Sequence, residues 1–457
     1  MRSSVATALL AAILLTLGCA GGAYRYGPYH GPYPAPGAIT AFDSVAWAPH
    51  DETKAGAPGF LLPHSTNQAQ YKLGTLWLDP GADSVVIYIY GDNRPGFRMM
   101  TTRWGVPAVM EIGSPDFKQF LWGIANIPVA LVQAVIPKAD LFRDTWATLV
   151  THRPSGTQEK VVLKALQKEI DRDPRVSFVV QTGDAVENGQ RGGQWELFAT
   201  TLAHLRQTVP YLASVGNHER TWDALGQQNW NAVMGPPAKP QRYWYAVDFP
   251  ESLARFVFID TNVLADPHDK YADSLEDVIS REQLTWLDSA LAVPARYRFI
   301  VMHYPLVTSG HYLSDWKYDE SRKLETRRRG RLLEICRRRN VTAVLAGHEH
   351  LYQRLYVRGR DGRGFWHIST GGAGAPLYRL SDRERKAALA LVLPDSSRVT
   401  WNKAHSVYHF SRLTLIRHPV SGDQRIIFDV FQVHPSGKIS LLDHADLSQL
   451  PPVEKAP

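Results

Sequence analysis

Cysteine is nearly absent, with only Cys19 and Cys336 among 457 residues. So small a number excludes a disulfide framework, and Cys336, inside "RLLEICRRR", reads as a small buried hydrophobe. A large excess of one charge is also missing. The net charge of +7 gives a mildly basic surface, which favours anionic ligands or membrane faces without selecting either. The one strongly basic stretch, "SRKLETRRRGRLLEICRRRN", lacks interleaved aromatics, so nucleic acid is not expected as a partner. It reads first as a solvated helix face and second as a site for anionic lipid head groups. Aliphatic residues are scarce in "GGAYRYGPYHGPYPAPG", whose Gly/Pro/Tyr composition cannot pack and fits an extended tether over residues 19–40. A β segment is expected over 41–83 from "AITAFDSVAWA" and "YKLGTLWLD", but no group with recognisable chemistry lies there.

Long apolar runs are few, and the first begins the chain. Arg2 precedes an apolar stretch from Val5 to Leu17, the layout of a secretory signal over residues 1–18. Its ending, "TLGC", resembles a bacterial lipobox in which Cys19 becomes the lipidated first residue; a plain cleaved signal is the alternative. Either makes the protein exported. With a lipid on Cys19 it would be held at a membrane, on the periplasmic or cell-surface face, with the tether as spacer.

What the sequence has in quantity is short β-rich runs that stop at polar clusters. "SVVIYIYGDNRPG" delivers Asp92, "VSFVVQTGDAVENG" Asp184, "VPYLASVGNHER" Asn217 and His218, "ARFVFIDTN" Asp260, "YRFIVMHYPLVTSGH" His303, and "VTAVLAGHEHLYQR" His348 and His350. Helical patterns such as "EKVVLKALQKEI", "GGQWELFATTLAHLRQ" and "REQLTWLDSALA" alternate with them, which indicates an α/β sheet with its polar strand ends along one edge. Glycines 91, 183, 216 and 347 each precede the polar residue, where unusual backbone angles could aim a side chain back to a common point. A histidine pair at one strand end is either incidental or a metal pair, and partners elsewhere decide. Asp, Asp, Asn and three His at successive strand ends favour the metal.

The order GD, GD, GNHE, H, GHEH, spread over roughly residues 84 to 433, resembles the calcineurin-like metallophosphoesterases. "GNHE", "GHEHLYQR" and "STGGAGAPLY" make it most similar to the purple-acid-phosphatase-like subtype. The resemblance implies two packed β-sheets flanked by helices, a four-layer αββα sandwich over residues 84–447; the sequence itself adds a hydrophobic helical insertion at about 95–150 and a flexible tail at 448–457. It also implies two divalent or trivalent cations (Mn, Fe or Zn), one held by Asp92, Asp184 and His350, the other by Asp184, Asn217, His303 and His348. Such ions sit about 3.5–4 Å apart and generate the hydroxide that attacks phosphorus. Their mutual repulsion, on the order of 16 kcal/mol at an effective dielectric near 20, requires a bridging anion, which the resemblance assigns to Asp184. His218 would be catalytic, stabilising or protonating the leaving oxygen, its ring oriented by Glu219 or Asp260. His311 is a candidate for the substrate side, or a solvated loop histidine.

Two positions depart from the pattern. Many relatives have a histidine two residues after the first aspartate, where this chain has Arg94. Purple acid phosphatases instead use a tyrosine three residues after the second, where this chain has Glu187. Glu187 could ligate or stand outside the ligand set, and Arg94 could clamp a phosphate oxygen or cap the turn. The implied activity is hydrolysis of phosphate esters, monoesters slightly preferred. An alternative is a lipid-linked phosphate or pyrophosphate substrate; another is a catalytically silent scaffold that binds metal or phosphate. The lipid-linked alternative comes from "KQFLWGIANIPVALVQAVIPK", uncharged between Lys118 and Lys138. A single membrane crossing there would put Asp92 and Asp184 on opposite sides of about 30 Å of hydrocarbon. Pro128 divides the segment, so two short helices are expected, packed on the domain or dipping into lipid.

Overall fold

The computed structural model describes residues 70–72, 84–94, 157–219, 224–235, 241–249, 252–265, 274–310, 323–378, 391–417 and 424–451, with a few isolated positions besides. The signal at 1–18, Cys19, the tether, most of 41–83, the insertion at 95–150 with its 118–138 segment, His311 and the last six residues lie outside the described residues or touch them only at isolated positions. Among the described residues no helix is long and apolar enough to cross a membrane.

The run Ser84–Tyr90 (β2) shows how the layers arise. Val85, Ile87 and Ile89 enter one apolar cluster while Val86, Tyr88 and Tyr90 enter another, so both faces of the strand are buried and the sequence reads as a continuous apolar run. It pairs in parallel with Val176–Gln181 (β3), which pairs in parallel with Tyr211–Ala213 (β4). On its other side lie the antiparallel strands His409–Arg417 (β12), Gln424–Val433 (β13) and Ile439–Asp446 (β14). The resulting six-stranded sheet has the order β14-β13-β12-β2-β3-β4.

The facing sheet has eight strands. Its members are Gln70–Lys72 (β1), Tyr245–Asp248 (β5), Ala254–Phe258 (β6), Tyr297–Met302 (β7), Ala343–Ala346 (β8), Tyr352–Arg358 (β9), Gly364–Thr370 (β10) and Arg398–His405 (β11). Their order is β1-β5-β6-β7-β8-β10-β9-β11, with β6, β7, β8 and β10 parallel.

Between the sheets lies a cluster that includes Ile87, Phe178, Val180, Phe256, Phe299, Leu345 and Phe428, with Phe256 and Phe299 stacked at 4.5 Å. The outer face of the six-stranded sheet is covered by Thr157–Ile170 (α1), Gly192–Thr201 (α2), Ala203–Thr208 (α3) and Ala224–Met234 (α4), through residues such as Leu166, Trp195, Leu205 and Trp230. Asn262–Ala265 (α5), Leu275–Ala292 (α6) and Lys323–Arg338 (α7) cover the eight-stranded sheet, through Val263, Leu287 and Leu333 among others. Helices therefore pack outside both of two mixed sheets. Cys336 is buried in α7 as a free thiol.

Helix α7 has the solvated face that was expected, with Arg327, Arg331 and Arg338 exposed, but most of its arginines are also paired: Arg328 reaches Asp277 at 2.8 Å, Arg338 and Arg339 share Asp288 at 2.7 Å, and Arg337 meets Asp395 at 2.8 Å. The acids come largely from α6, so the charge in the sequence serves to join two helices.

Candidate metal centre

Asp92 follows β2, Asp184 follows β3, Asn217 follows β4, His303 follows β7, and His348 and His350 follow β8. The first three strands belong to one sheet and the last two to the other, so the six residues meet where the carboxyl ends of the two sheets face each other. Backbone bonds join the loops: Asp92 N donates to Gly183 O at 3.0 Å, Arg94 N to Asp184 O at 3.1 Å, and Gly347 N to His303 O at 3.1 Å.

The unusual backbone angles lie mainly on the polar residues themselves. Asp92, Asp184 and His348 have φ of 55°, 58° and 65°, the left-handed region that β-branched or bulky residues avoid and that is retained where surroundings fix it. Of the preceding glycines, Gly183 shares that region at φ 95°, whereas Gly347 is required for space: a Cβ there would lie 2.6 Å from Asp92 Oδ2 and from Thr182 O.

One pocket is formed by Asp184, Asn217, His303 and His348. His303 Nε2 lies 3.2 Å from Asp184 Oδ1, 2.9 Å from Asn217 Oδ1 and 3.2 Å from His348 Nδ1, and Asn217 Oδ1 is 3.1 Å from His348 Nδ1. The ring orientation is imposed from outside: His303 Nδ1–H donates to Thr182 O at 2.9 Å, which leaves Nε2 as a lone pair in the neutral ring. The His303 Nε2 lone pair thus faces two oxygen acceptors, Asp184 Oδ1 at 3.2 Å and Asn217 Oδ1 at 2.9 Å, with His348 Nδ1 beside them, a convergence of acceptors that a cation resolves. Burial pushes His348 well below the usual imidazole range, with His303 beside it adding to the effect, so its ring is neutral and ready to ligate. The residues fit a metal ion here.

A second cluster contains Asp92, Asp184 and His350, whose donor atoms lie within 4.8 Å of one another, all buried. His350 Nε2 is 3.4 Å from Asp92 Oδ1, and its Nδ1–H donates to Pro376 O at 2.7 Å while Tyr378 stacks on the ring at 4.3 Å. Burial and the nearby Arg94 lower His350 to about 3. Burial raises Asp92 well above the usual carboxylate range, with Asp184 adding to the shift. Burial pushes Asp184 up too, but His303, His218 and Arg94 outweigh it and hold that carboxyl well below its ordinary value.

Arg94 stands in this second cluster. Its side chain is 1% exposed, its Nε is 3.4 Å from Asp184 Oδ2, its Nη2 is 3.4 Å from His350 Nε2, and Nη1 pairs with the Glu187 carboxylate. A divalent ion about 4 Å from the guanidinium would meet repulsion on the order of 8 kcal/mol at an effective dielectric near 20. The second cluster has the ligand types for an ion and also contains a fixed positive charge.

His218 borders both clusters and is the more open residue, its side chain 21% exposed. Nδ1–H donates to Glu187 O at 2.6 Å and Nε2 lies 3.8 Å from Asp184 Oδ2. Burial and Arg94 lower its pKa. The ring is thus oriented by a backbone carbonyl, where the sequence had pointed to Glu219 or Asp260. Glu219 instead accepts the backbone N–H groups of Asp184 at 2.9 Å, Gly216 at 2.7 Å and Val186 at 3.1 Å, tying the Asp184 loop to the GNHE loop. Asp260 is occupied by Asn262 N and Nδ2, at 2.9 and 2.8 Å.

Sequence reasoning missed Thr182, Pro376 and Tyr378, the first two because a backbone carbonyl carries no residue signature. It also passed over Glu349, between the two histidines, which accepts Thr308 Oγ1–H at 2.8 Å and holds the loop after β7.

Buried Asp/His groups at the joined ends of two mixed sheets, following GD, GD, GNHE and GHEH, define the class. Residues 136–352 match the family model described as calcineurin-like phosphoesterase. Within that class it is distantly related to purple acid phosphatases. It is 25% identical over 242 residues to a protein of Arabidopsis thaliana named probable inactive purple acid phosphatase 27, covering 46% of this chain and 37% of that one. It is also 25% identical over 177 residues to a nucleotide pyrophosphatase/phosphodiesterase of Hordeum vulgare, covering 35% of this chain and 44% of that one. The match spans less than half the length of either relative. Among solved structures, the purple acid phosphatase PPD1 from yellow lupin seeds aligns with a TM-score of 0.46 and 15% identity, over 83% of this chain and 54% of that one.

Proposed function

We propose that this protein is a metal-dependent hydrolase of phosphate esters, with monoesters slightly preferred. The observation that supports it is the pocket of Asp184, Asn217, His303 and His348, in which the His303 Nε2 lone pair faces Asp184 Oδ1 at 3.2 Å and Asn217 Oδ1 at 2.9 Å. A Mn, Fe or Zn ion bound there would polarise a phosphoryl oxygen and lower the pKa of water. The chain's own contribution is orientation: Thr182 O fixes the ring of His303, and Glu219 fixes the loops that carry Asp184 and Asn217. His218 lies at the open side of the centre, where it would face a leaving oxygen, and Glu187 O sets which of its nitrogens points there. His311 is kept as a substrate-side candidate.

The natural substrate would be a phosphorylated small molecule or, given the uncharged stretch between Lys118 and Lys138, a lipid-linked phosphate. The protein would be exported and held at a membrane through a lipid on Cys19. A second reading is favoured by Arg94 inside the ligand cluster and by relatives named as probably inactive: a silent scaffold that binds metal or phosphate.

The deciding experiment offers p-nitrophenyl phosphate, its bis ester and pyrophosphate to the purified full chain, with and without chelator. Turnover that the chelator removes and metal restores is expected, with a loss in Asp184→Asn larger than the roughly 100-fold typical of residues that only support a ligand. Metal uptake with no turnover on any of the three substrates would establish the scaffold instead.

A further inference from the structure

We propose that the Arg94 guanidinium is the resident cation of the second cluster, so that the centre takes one metal ion per chain, at Asp184, Asn217, His303 and His348. This deepens the metal-centre reading and rests on it.

An ion in the second cluster would have to lie between Asp184 Oδ2 and His350 Nε2. The guanidinium already spans that gap, with Nε 3.4 Å from the one and Nη2 3.4 Å from the other. The pairing is chemically matched. His350 gives its Nδ1–H to Pro376 O, so Nε2 is an acceptor, and Arg94 supplies the N–H that faces it. Among the described residues Asp184 Oδ2 accepts no hydrogen bond and faces Arg94 Nε as an ion pair, while Oδ1, which accepts His218 N–H at 3.2 Å, faces the first pocket. One carboxylate thus serves a metal pocket with one oxygen and an arginine with the other, the bridging role that the resemblance gives it between two ions.

The arginine is also held in place. Its backbone N–H is bound by Asp184 O at 3.1 Å, and its Nη1 by Glu187, the residue standing where purple acid phosphatases have a tyrosine. The preceding Asn93 is locked by Gln181 Nε2 at 3.0 Å and reaches Glu159 at 3.4 Å, so the turn that aims Arg94 inward is buried and bonded on both sides. The two departures from the family pattern, Arg94 and Glu187, are therefore one ion pair. A guanidinium cannot be deprotonated under ordinary conditions, so this positive charge does not depend on metal supply.

The test uses the full chain, stripped with chelator and reloaded with Mn²⁺, read by elemental analysis, titration calorimetry and electron paramagnetic resonance. One equivalent and an uncoupled Mn²⁺ spectrum are expected for the wild type. Two equivalents and an exchange-coupled spectrum are expected for Arg94→Ala, which vacates the gap. Two coupled equivalents in the wild type would overturn the proposal. No uptake at all would overturn the metal-centre reading beneath it. Should Arg94→Ala fail to fold, an asymmetry in the ligands decides: His303→Ala should weaken uptake at least about 100-fold, whereas His350→Ala should change it by less than about 5-fold. Equal losses from the two would overturn the proposal.

Discussion

His367 and His409 show at single-residue resolution how burial sets the protein's response to acid. Neither belongs to the ligand clusters. His367 Nε2 accepts Leu306 N–H at 2.9 Å, and His409 Nδ1–H donates to Val407 O at 3.0 Å. Burial lowers them to about 3 and about 4, with Arg329 adding to the effect at His367. Their folded pKa values lie below the unfolded value near 6.5, so between those limits the unfolded chain binds more protons and stability falls as pH falls. Each should make unfolding take up about one proton below about pH 6, and the contribution of His409 should fade as the pH approaches its folded value of about 4. Denaturant titrations of the metal-free chain across that range measure it, and His409→Asn should lower the slope by about one proton. The sequence displays these histidines without indicating their shifts, since a shift depends on what packs around the ring.

At the scale of elements, α6 and α7 are joined by charge. Asp277 sits in the first turn of α6, where Ser274 caps its N–H at 3.2 Å, and its carboxylate reaches the buried Arg328 at 2.8 Å. Removing it leaves an arginine in the interior with its ion-pair partner gone. Asp277→Ala should therefore cost about 3–5 kcal/mol. Chemical denaturation reads that loss, while Mn²⁺ uptake at the distant strand ends should be unchanged. The arginine run in the sequence correctly marked a helix; its partners were invisible because Asp277 and Asp288 lie 50 or 51 positions away in the chain. The strand ends were far more legible. A β-rich run halted by glycine and followed by Asp or His is a local pattern, and it located Asp92, Asp184, His348 and His350 directly.

In the whole molecule the candidate ligands are divided between two sheets. Asp92, Asp184 and Asn217 come from the six-stranded sheet, and His303, His348 and His350 from the eight-stranded one. An ion in the first pocket would cross-link the sheets at one edge of the apolar layer that contains Phe178, Phe256 and Phe299. Binding only the folded state, it should stabilise by about 2.7 kcal/mol at a free concentration a hundred times its dissociation constant. Chelation should accordingly lower the denaturant midpoint while leaving the slope unchanged, since the surface exposed on unfolding stays the same. A changed slope would mean that the sheets separate before the rest unfolds.

The sequence alone determined the alternating architecture and the residue types at each strand end, because β-runs, helical periods and glycine stops are local. Only the tertiary structure decided how those ends relate. Thr182 O, Pro376 O and Glu187 O choose the nitrogens that His303, His350 and His218 present, and a backbone carbonyl is the same in every residue. Arg94 illustrates the difference most directly. Its position in the sequence marks a missing histidine, but its side chain enters the ligand cluster because loops from both sheets surround it and Glu187 meets its far end. Where a long, charged side chain points is fixed by its whole surroundings, and those are assembled only when the chain has folded.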